Sequence, residues 1–191
     1  MQVILRESKY WGIAEKNGIT RTMVEDSITA GIEYALKKLP PVSDYLTIMV
    51  CADVAENVIP ETGVAGITYT EEYMSIIFDA AVPLPREEII ANLRQLVIHE
   101  MVHAASYINA GKWIPAPLQA VVYEGLATYF EAKAPSATIP PWAKCEDDAT
   151  MKEWLAEVSS LNTEMKNFDY LFDHPDGRRW IIYKTGMWIV N

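Results

Sequence analysis

Two long stretches of the chain carry apolar residues at helical spacing, and each predicts an amphipathic helix. In the first, apolar positions recur with a period near 3.6 from Pro85 until Gly111, where the helix is expected to end. The second runs from Leu118 to Ala134, after a short loop at 112–117. Because that loop is short, the two helices are expected to pack side by side and antiparallel.

Shorter elements surround these two helices. Thr22 and Glu25 have the spacing of a capping box and predict an earlier helix, which Pro40 and Pro41 would stop. Met1–Ile19 shows no clear periodicity. The remaining predicted elements are strands at Tyr45–Cys51, Gly63–Thr70 and Tyr73–Phe78, a loop at Ala134–Trp142, and helices near Asp147–Ser159, Asn162–Phe172 and from Arg178 onward.

The order of these elements predicts an α+β fold with two subdomains. Residues 1–111 would contain a small, twisted β-sheet and the first long helix, and residues 112–191 would be mostly helical. Half of the residues are hydrophobic, so a chain of 191 residues can bury a sizeable core.

Composition narrows the choice of partners. The formal net charge of −10 repels nucleic acid at long range, and we find no cluster of Lys or Arg that would offset it. No apolar run approaches the roughly 20 residues that span a membrane, and no export signal is visible, so we expect a cytoplasmic protein.

Cys51 and Cys145 do not form a CxxC pair and are expected to be free thiols.

The first long helix carries the sequence His99-Glu100-Met101-Val102-His103, an HExxH motif. Residues four apart lie nearly in line on a helix, so both imidazoles can reach one ion at about 2.0–2.1 Å. Glu100 is offset by one position, where its carboxylate can take a proton from water beside the metal. The chain has three histidines, and two of them are in this motif.

A catalytic zinc site usually takes a third protein ligand, and Glu124 is the favoured candidate. It lies on the second long helix among apolar residues, where a carboxylate is costly to bury without a partner or a metal. The apolar face predicted for that helix consists of Val121, Val122, Leu126 and Phe130. Glu131 is the alternative ligand, but its charged and loop neighbours suggest a solvated helix end.

HEMVH followed about twenty residues later by EGLATYFE resembles the gluzincin zinc metallopeptidases. The likeness is closer to a family of small bacterial proteins described as predicted zinc-dependent proteases. It extends over roughly residues 60–190 and includes the late segment Trp180–Val190. The resemblance implies a zincin-like fold, a peptide or protein substrate, and Zn²⁺ bound by His99, His103 and Glu124, with Glu100 as general base.

The same resemblance implies roles for three further residues. Thr128, one turn beyond Glu124, would hydrogen-bond a ligand histidine, although thermolysin-like enzymes have an acid at that position. Tyr183, in the late segment, would stabilise the oxyanion of the tetrahedral intermediate, with His174 as the alternative.

Zincins also bind the substrate backbone along an edge strand. Here Tyr73–Phe78 or Gly66–Thr70 would supply it. The predicted strands contain nothing like the GxMEN segment of the aminopeptidases, so an endopeptidase is favoured over an exopeptidase.

Two rival functions are compatible with the sequence. One is a gluzincin-like domain that binds zinc for a binding or sensing role without proteolysis, although such a domain would not need Glu100. The other is a structural domain without metal. Among divalent metals, two imidazoles and a carboxylate suit zinc best.

Overall fold

A four-stranded β-sheet forms one layer of the protein, with the strands in the order β1-β2-β4-β3. The computed structural model describes residues 1–81, 84–110, 116–135, 138–161 and 168–191. The strands are β1 (Gln2–Leu5), β2 (Thr47–Asp53), β3 (Val64–Thr70) and β4 (Tyr73–Asp79). β1, β2 and β4 are parallel, whereas β3 is antiparallel to β4 and forms an edge of the sheet.

The central strands bury every second side chain, as a half-buried sheet requires. The buried side chains of β2 and β4 are Ile48, Val50, Ala52, Met74, Ile76 and Phe78. They belong to one apolar cluster with residues of two long helices that cover this face of the sheet.

Seven helices are assigned in the described part of the chain. They are α1 (Trp11–Lys16), α2 (Arg21–Leu36), α3 (Arg86–Ala110), α4 (Pro117–Ala132), α5 (Asp148–Ser160), α6 (Phe168–Leu171) and α7 (Ile181–Val190). α2 and α3 pack on the sheet, while α4, α5 and α7 enclose a second apolar cluster. Within the described ranges, no helix has both the length and the apolar character that a membrane-spanning segment needs.

The two long helices and the three strands predicted from the sequence are present, with ends shifted by a few residues. The mixed sheet and helices agree with the predicted α+β class. Both cysteines are free, as expected. Of the helix predicted at Asn162–Phe172, residues 168–171 form α6 and residues 162–167 lie outside the described ranges.

The N-terminal region departs most from prediction. No element is predicted for Met1–Ile19, yet this stretch contains β1 and α1. Local sequence does not predict β1, because its hydrogen bonds come from pairing with β2. The cap of α2 is Thr20, whose side chain accepts a bond from the Met23 amide, and not Thr22. α2 also ends at Leu36, before the two prolines.

The last helix begins later than predicted. Arg179 pairs with Asp173 in a short β-bridge, and Trp180 has a φ of 61°, in the left-handed region. The chain is therefore not helical at Arg178, and α7 starts at Ile181.

Candidate metal centre

α3 places the HExxH residues at the junction of the sheet and α4. Leu93, Val97 and Met101 of α3 lie in the apolar cluster beneath the sheet. His99 and His103 contact Glu124 of α4 from another side of the same helix. The helical period of 3.6 residues that buries the apolar side chains of α3 under the sheet therefore directs the two histidines towards α4.

Three potential ligand atoms converge at this junction. The two Nε2 atoms of His99 and His103 are 3.1 Å apart. Oε2 of Glu124 lies 3.2 Å from Nε2 of His99 and 3.4 Å from Nε2 of His103. Tetrahedral zinc with ligands at about 2.0–2.1 Å requires ligand atoms about 3.3 Å from one another. The donor set therefore fits a zinc ion both in chemistry and in spacing.

Hydrogen bonding around His99 gives a second indication of a cation. Its Nδ1 lies 3.1 Å from Oε2 of Glu131. When a neutral His99 donates from Nδ1, its Nε2 carries a lone pair that faces the Glu124 carboxylate, which is also an acceptor. Two facing acceptors need either a proton or a metal cation between them.

The electrostatics of the cluster agree with this reading. Burial opposes the ionisation of Glu124, but His103 and His99 outweigh it and hold the pKa of Glu124 well below its usual value. Burial also opposes the charged form of His99, but Glu124 and Glu131 raise the pKa of His99 well above its usual value. The carboxylates thus create a site that attracts a proton or a metal cation.

Glu131 is buried, with 4% of its surface exposed, so the prediction of a solvated helix end was wrong. Its Oε2 accepts hydrogen bonds from His99 and from the indole Nε1 of Trp142, the latter at 3.1 Å. Seven residues return a helix to within about 20° of the same direction, so Glu131 lies on the face of Glu124, two turns on. That spacing was the available signal for its role.

Thr128 does not have the role that the resemblance implied. Its hydroxyl is buried and finds no hydrogen-bond partner in the described structure, and Glu131 bonds to His99, one of the ligand candidates, instead. The apolar face of α4 is also narrower than predicted: Val121 is fully buried, but Val122 is 45% exposed.

Glu100 lies on the sheet side of the cluster and is 4% exposed. The hydroxyl of Thr68, on β3, lies 2.7 Å from Oε2 of Glu100 and 3.0 Å from its backbone carbonyl oxygen. Nothing in the local sequence around Thr68 indicated this contact.

Tyr183 reaches the cluster from α7. Its ring centroid is 6.0 Å from that of His99, and it packs with Trp142 and Trp180. Burial raises the pKa of Tyr183 well above its usual value, and the carboxylates of Glu124, Glu100 and Glu131 raise it further. The phenol is therefore protonated at neutral pH, and a hydrogen bond with the Glu124 carboxylate contributes to the raised pKa.

His174, the alternative to Tyr183, lies in the turn before α7. Its Nδ1 is 2.8 Å from Oδ1 of Asp176, and its ring is 4.8 Å from that of Tyr170. In the described ranges no contact joins it to the three ligand candidates. The geometry therefore does not support an oxyanion role for His174.

Only one of the two candidate substrate strands has a free edge. β4 is hydrogen-bonded to β2 on one side and to β3 on the other, so Tyr73–Phe78 cannot accept a further strand. β3 is at the edge, and within the described ranges only its first residue, Val64, is bridged there, to Ile59. Gly66–Thr70 is therefore the available edge.

Comparison with known proteins identifies a family. No curated protein and no solved structure gives a significant match to this chain. A family model described as "Predicted Zn-dependent protease (DUF2268)" matches residues 24–191, a span that includes the three ligand candidates and Glu100. Because that match extends over most of the chain, the protein belongs to this family of predicted zinc-dependent proteases.

Proposed function

We propose that this protein is a zinc metallopeptidase of the gluzincin type, with a zincin-like fold, that cleaves peptide bonds within a chain. One observation carries the proposal. Two imidazole nitrogens and one carboxylate oxygen converge at 3.1–3.4 Å, and the carboxylate of Glu100 lies on the same helix as both histidines. The family assignment supports the same activity.

His99, His103 and Glu124 would hold the zinc ion. When bound, zinc acts as a Lewis acid on a carbonyl oxygen and lowers the pKa of water. Glu131 keeps His99 in the tautomer that presents Nε2 to the metal, because Nδ1–H is used in the bond to its carboxylate.

Glu100 and Tyr183 carry the proton transfer and the charge stabilisation. Glu100 accepts a proton as the water oxygen bonds to the scissile carbonyl carbon, and the phenol of Tyr183 donates a hydrogen bond to the oxyanion. Glu100 then gives the proton to the amide nitrogen as the C–N bond breaks. The products are a carboxylic acid and an amine, so atoms and charge balance.

The substrate would bind as an added strand on β3. The free edge of Gly66–Thr70 offers backbone donors and acceptors to an extended peptide. Because Thr68 on this strand contacts Glu100, a peptide paired there would pass close to the general base.

A Glu100→Gln variant tests the proposal. We expect the zinc-loaded variant to lose turnover on a quenched fluorescent peptide library while it keeps the zinc content and the Tm of the wild type. Glu87→Gln, an exposed change on the same helix, is the matched control and should cleave at the wild-type rate. An active Glu100→Gln protein would refute the assignment. A zinc-loaded wild type that cleaves nothing would indicate a binding role instead.

A further inference from the structure

We infer that two residues of β3 position the general base: the Thr68 hydroxyl holds Oε2 of Glu100, and Gly66 leaves space for Oε1. This inference rests on the proposed function, in which Glu100 moves the proton. Thr68 and Gly66 are positioning residues, since they act through Glu100 and not on the substrate.

Thr68 can direct the carboxylate because its hydroxyl has a fixed environment. The residue is fully buried, and its Oγ1 lies 2.7 Å from Oε2. A hydroxyl–carboxylate bond of this length is charge-assisted and stronger than a neutral one. The side chain of a glutamate has several staggered rotamers, and this bond selects the one that places Oε2 against β3.

Gly66 makes room for the other carboxylate oxygen. A Cβ built at Gly66 would lie 2.7 Å from Oε1 and 2.9 Å from Cγ of Glu100. Gly66 and Thr68 are two residues apart on one strand, so they present to the same face of the sheet. Any larger residue at 66 would displace the carboxylate or move the strand away.

The need for glycine at 66 is one of space and not of backbone conformation. Glycine weakens a strand interior, so its presence in β3 requires a reason. The described glycines with positive φ are Gly18, Gly63 and Gly177, and Gly66 is not among them. Within the described ranges no hydrogen bond to Oε1 is found, whereas Oε2 accepts one from Thr68.

The single hydrogen of the Thr68 hydroxyl is shared between Oε2 at 2.7 Å and the backbone carbonyl oxygen of Glu100 at 3.0 Å, so a structural role must be separated from a positioning role. Thr68→Val retains the shape and burial of the side chain but removes the hydroxyl, whereas Thr68→Ser retains the hydroxyl. Gly66→Ala crowds Oε1 directly. Thr62→Val is the matched control, because Thr62 is a buried threonine whose hydroxyl lies 3.4 Å from each of two backbone carbonyl oxygens, those of Ile59 and Val64.

The experiment measures kcat and KM on a quenched fluorescent peptide, zinc content, Tm, and the position of the Glu100 carboxylate in crystal structures of each variant. For Thr68→Val we expect kcat to fall about 10- to 100-fold, as for other residues that orient a catalytic group, with KM and zinc content unchanged. Thr68→Ser should restore most of kcat, and Thr62→Val should match the wild type. Gly66→Ala should displace Oε1 and lower kcat.

Three results would overturn the inference: wild-type kcat in Thr68→Val, equal loss in Thr68→Ser and Thr68→Val, or a Glu100 carboxylate that stays in place without the hydroxyl. If the zinc-loaded wild type cleaves no peptide, the proposed function fails. The crystal structures of wild type and Thr68→Val then still decide whether Thr68 holds the carboxylate.

Discussion

Glu131 shows how one buried carboxylate can serve both packing and the candidate metal centre. Its Oε2 accepts a hydrogen bond from Trp142, which anchors the loop before α5, and another from Nδ1 of His99. A buried carboxylate with such partners is stable, and it fixes the orientation of the imidazole. Among the described residues, the buried hydroxyl of Thr128, one turn earlier on α4, has no hydrogen-bond partner.

At the residue scale we therefore predict opposite outcomes for Glu131 and Thr128. Glu131→Gln should weaken zinc binding about 10- to 100-fold, because the bond to His99 loses its charge. Thr128→Val, the control, should leave zinc affinity unchanged and should not lower Tm, because it removes an unpaired buried hydroxyl. Competition with a chromophoric chelator measures the affinity. If Thr128→Val binds zinc more weakly and Glu131→Gln binds it with wild-type affinity, then Thr128 and not Glu131 orients the His99 imidazole.

At the scale of elements, the crossing of α4 and α7 brings Tyr183 to the candidate metal ligands. A Cβ built at Gly125 would lie 2.4 Å from the carbonyl carbon of Gly186, and one built at Gly186 would lie 2.1 Å from the carbonyl oxygen of Val121. The two backbones are thus in direct contact. Gly125 follows Glu124, and Gly186 is three residues, about one turn, from Tyr183.

Gly186→Ala should separate these helices. Because its methyl group would meet backbone atoms and not a flexible side chain, we expect a loss of about 3 kcal/mol in the free energy of unfolding. Urea denaturation measures it. Gly12→Ala is the matched control in α1, where an added Cβ meets nothing within 4 Å, and it should stabilise by about 0.5–1 kcal/mol. A Gly186→Ala protein as stable as the wild type would show that the helices do not pack this closely.

For the whole molecule, two consecutive arginines connect distant parts of the chain. Arg178 makes a two-pronged contact with Glu157 of α5, with Nη1–Oε2 at 2.6 Å and Nη2–Oε1 at 2.9 Å. Arg179 pairs with Asp173 in the turn and with Glu61, near the start of β3. These pairs hold the turn before α7 against both α5 and the sheet region.

The Glu157 pair predicts a dependence of stability on pH. The hydrogen bond from Arg178 lowers the pKa of Glu157 below its ordinary value of 4.5, and Tyr170 lowers it further. Since the folded pKa is the lower one, this stabilisation is complete above pH 4.5 and is lost as pH falls through the folded pKa. Removal of the Glu157 charge should therefore lower the free energy of unfolding at neutral pH and make that free energy fall less steeply in acid.

We expect Glu157→Gln to lower the free energy of unfolding at pH 7 by about 1 kcal/mol and to reduce its slope below pH 4.5. Urea titrations at several pH values measure both quantities. Glu153→Gln, an exposed change on the same helix, is the control and should follow the wild-type curve. An unchanged acid slope in Glu157→Gln would show that the pair does not form.

The sequence by itself determined the long helices and the candidate chemistry on α3. An apolar period near 3.6, sustained from Pro85 to Gly111, is sufficient to predict a helix, and the spacing of His99 and His103 depends on helical geometry alone. Glu124 was recognisable because a carboxylate among apolar residues needs a partner. All of these inferences use neighbours within a few turns.

Only the tertiary structure decided which side chains complete the site. Thr68 and Glu100 are 32 residues apart, as are His99 and Glu131, and no local pattern specifies such pairs. β1 was missed for the same reason, since its hydrogen bonds come from β2, and the free edge of β3 depends on the order of the strands. Contacts of this kind form only when separate elements pack, because packing and not local periodicity sets their register.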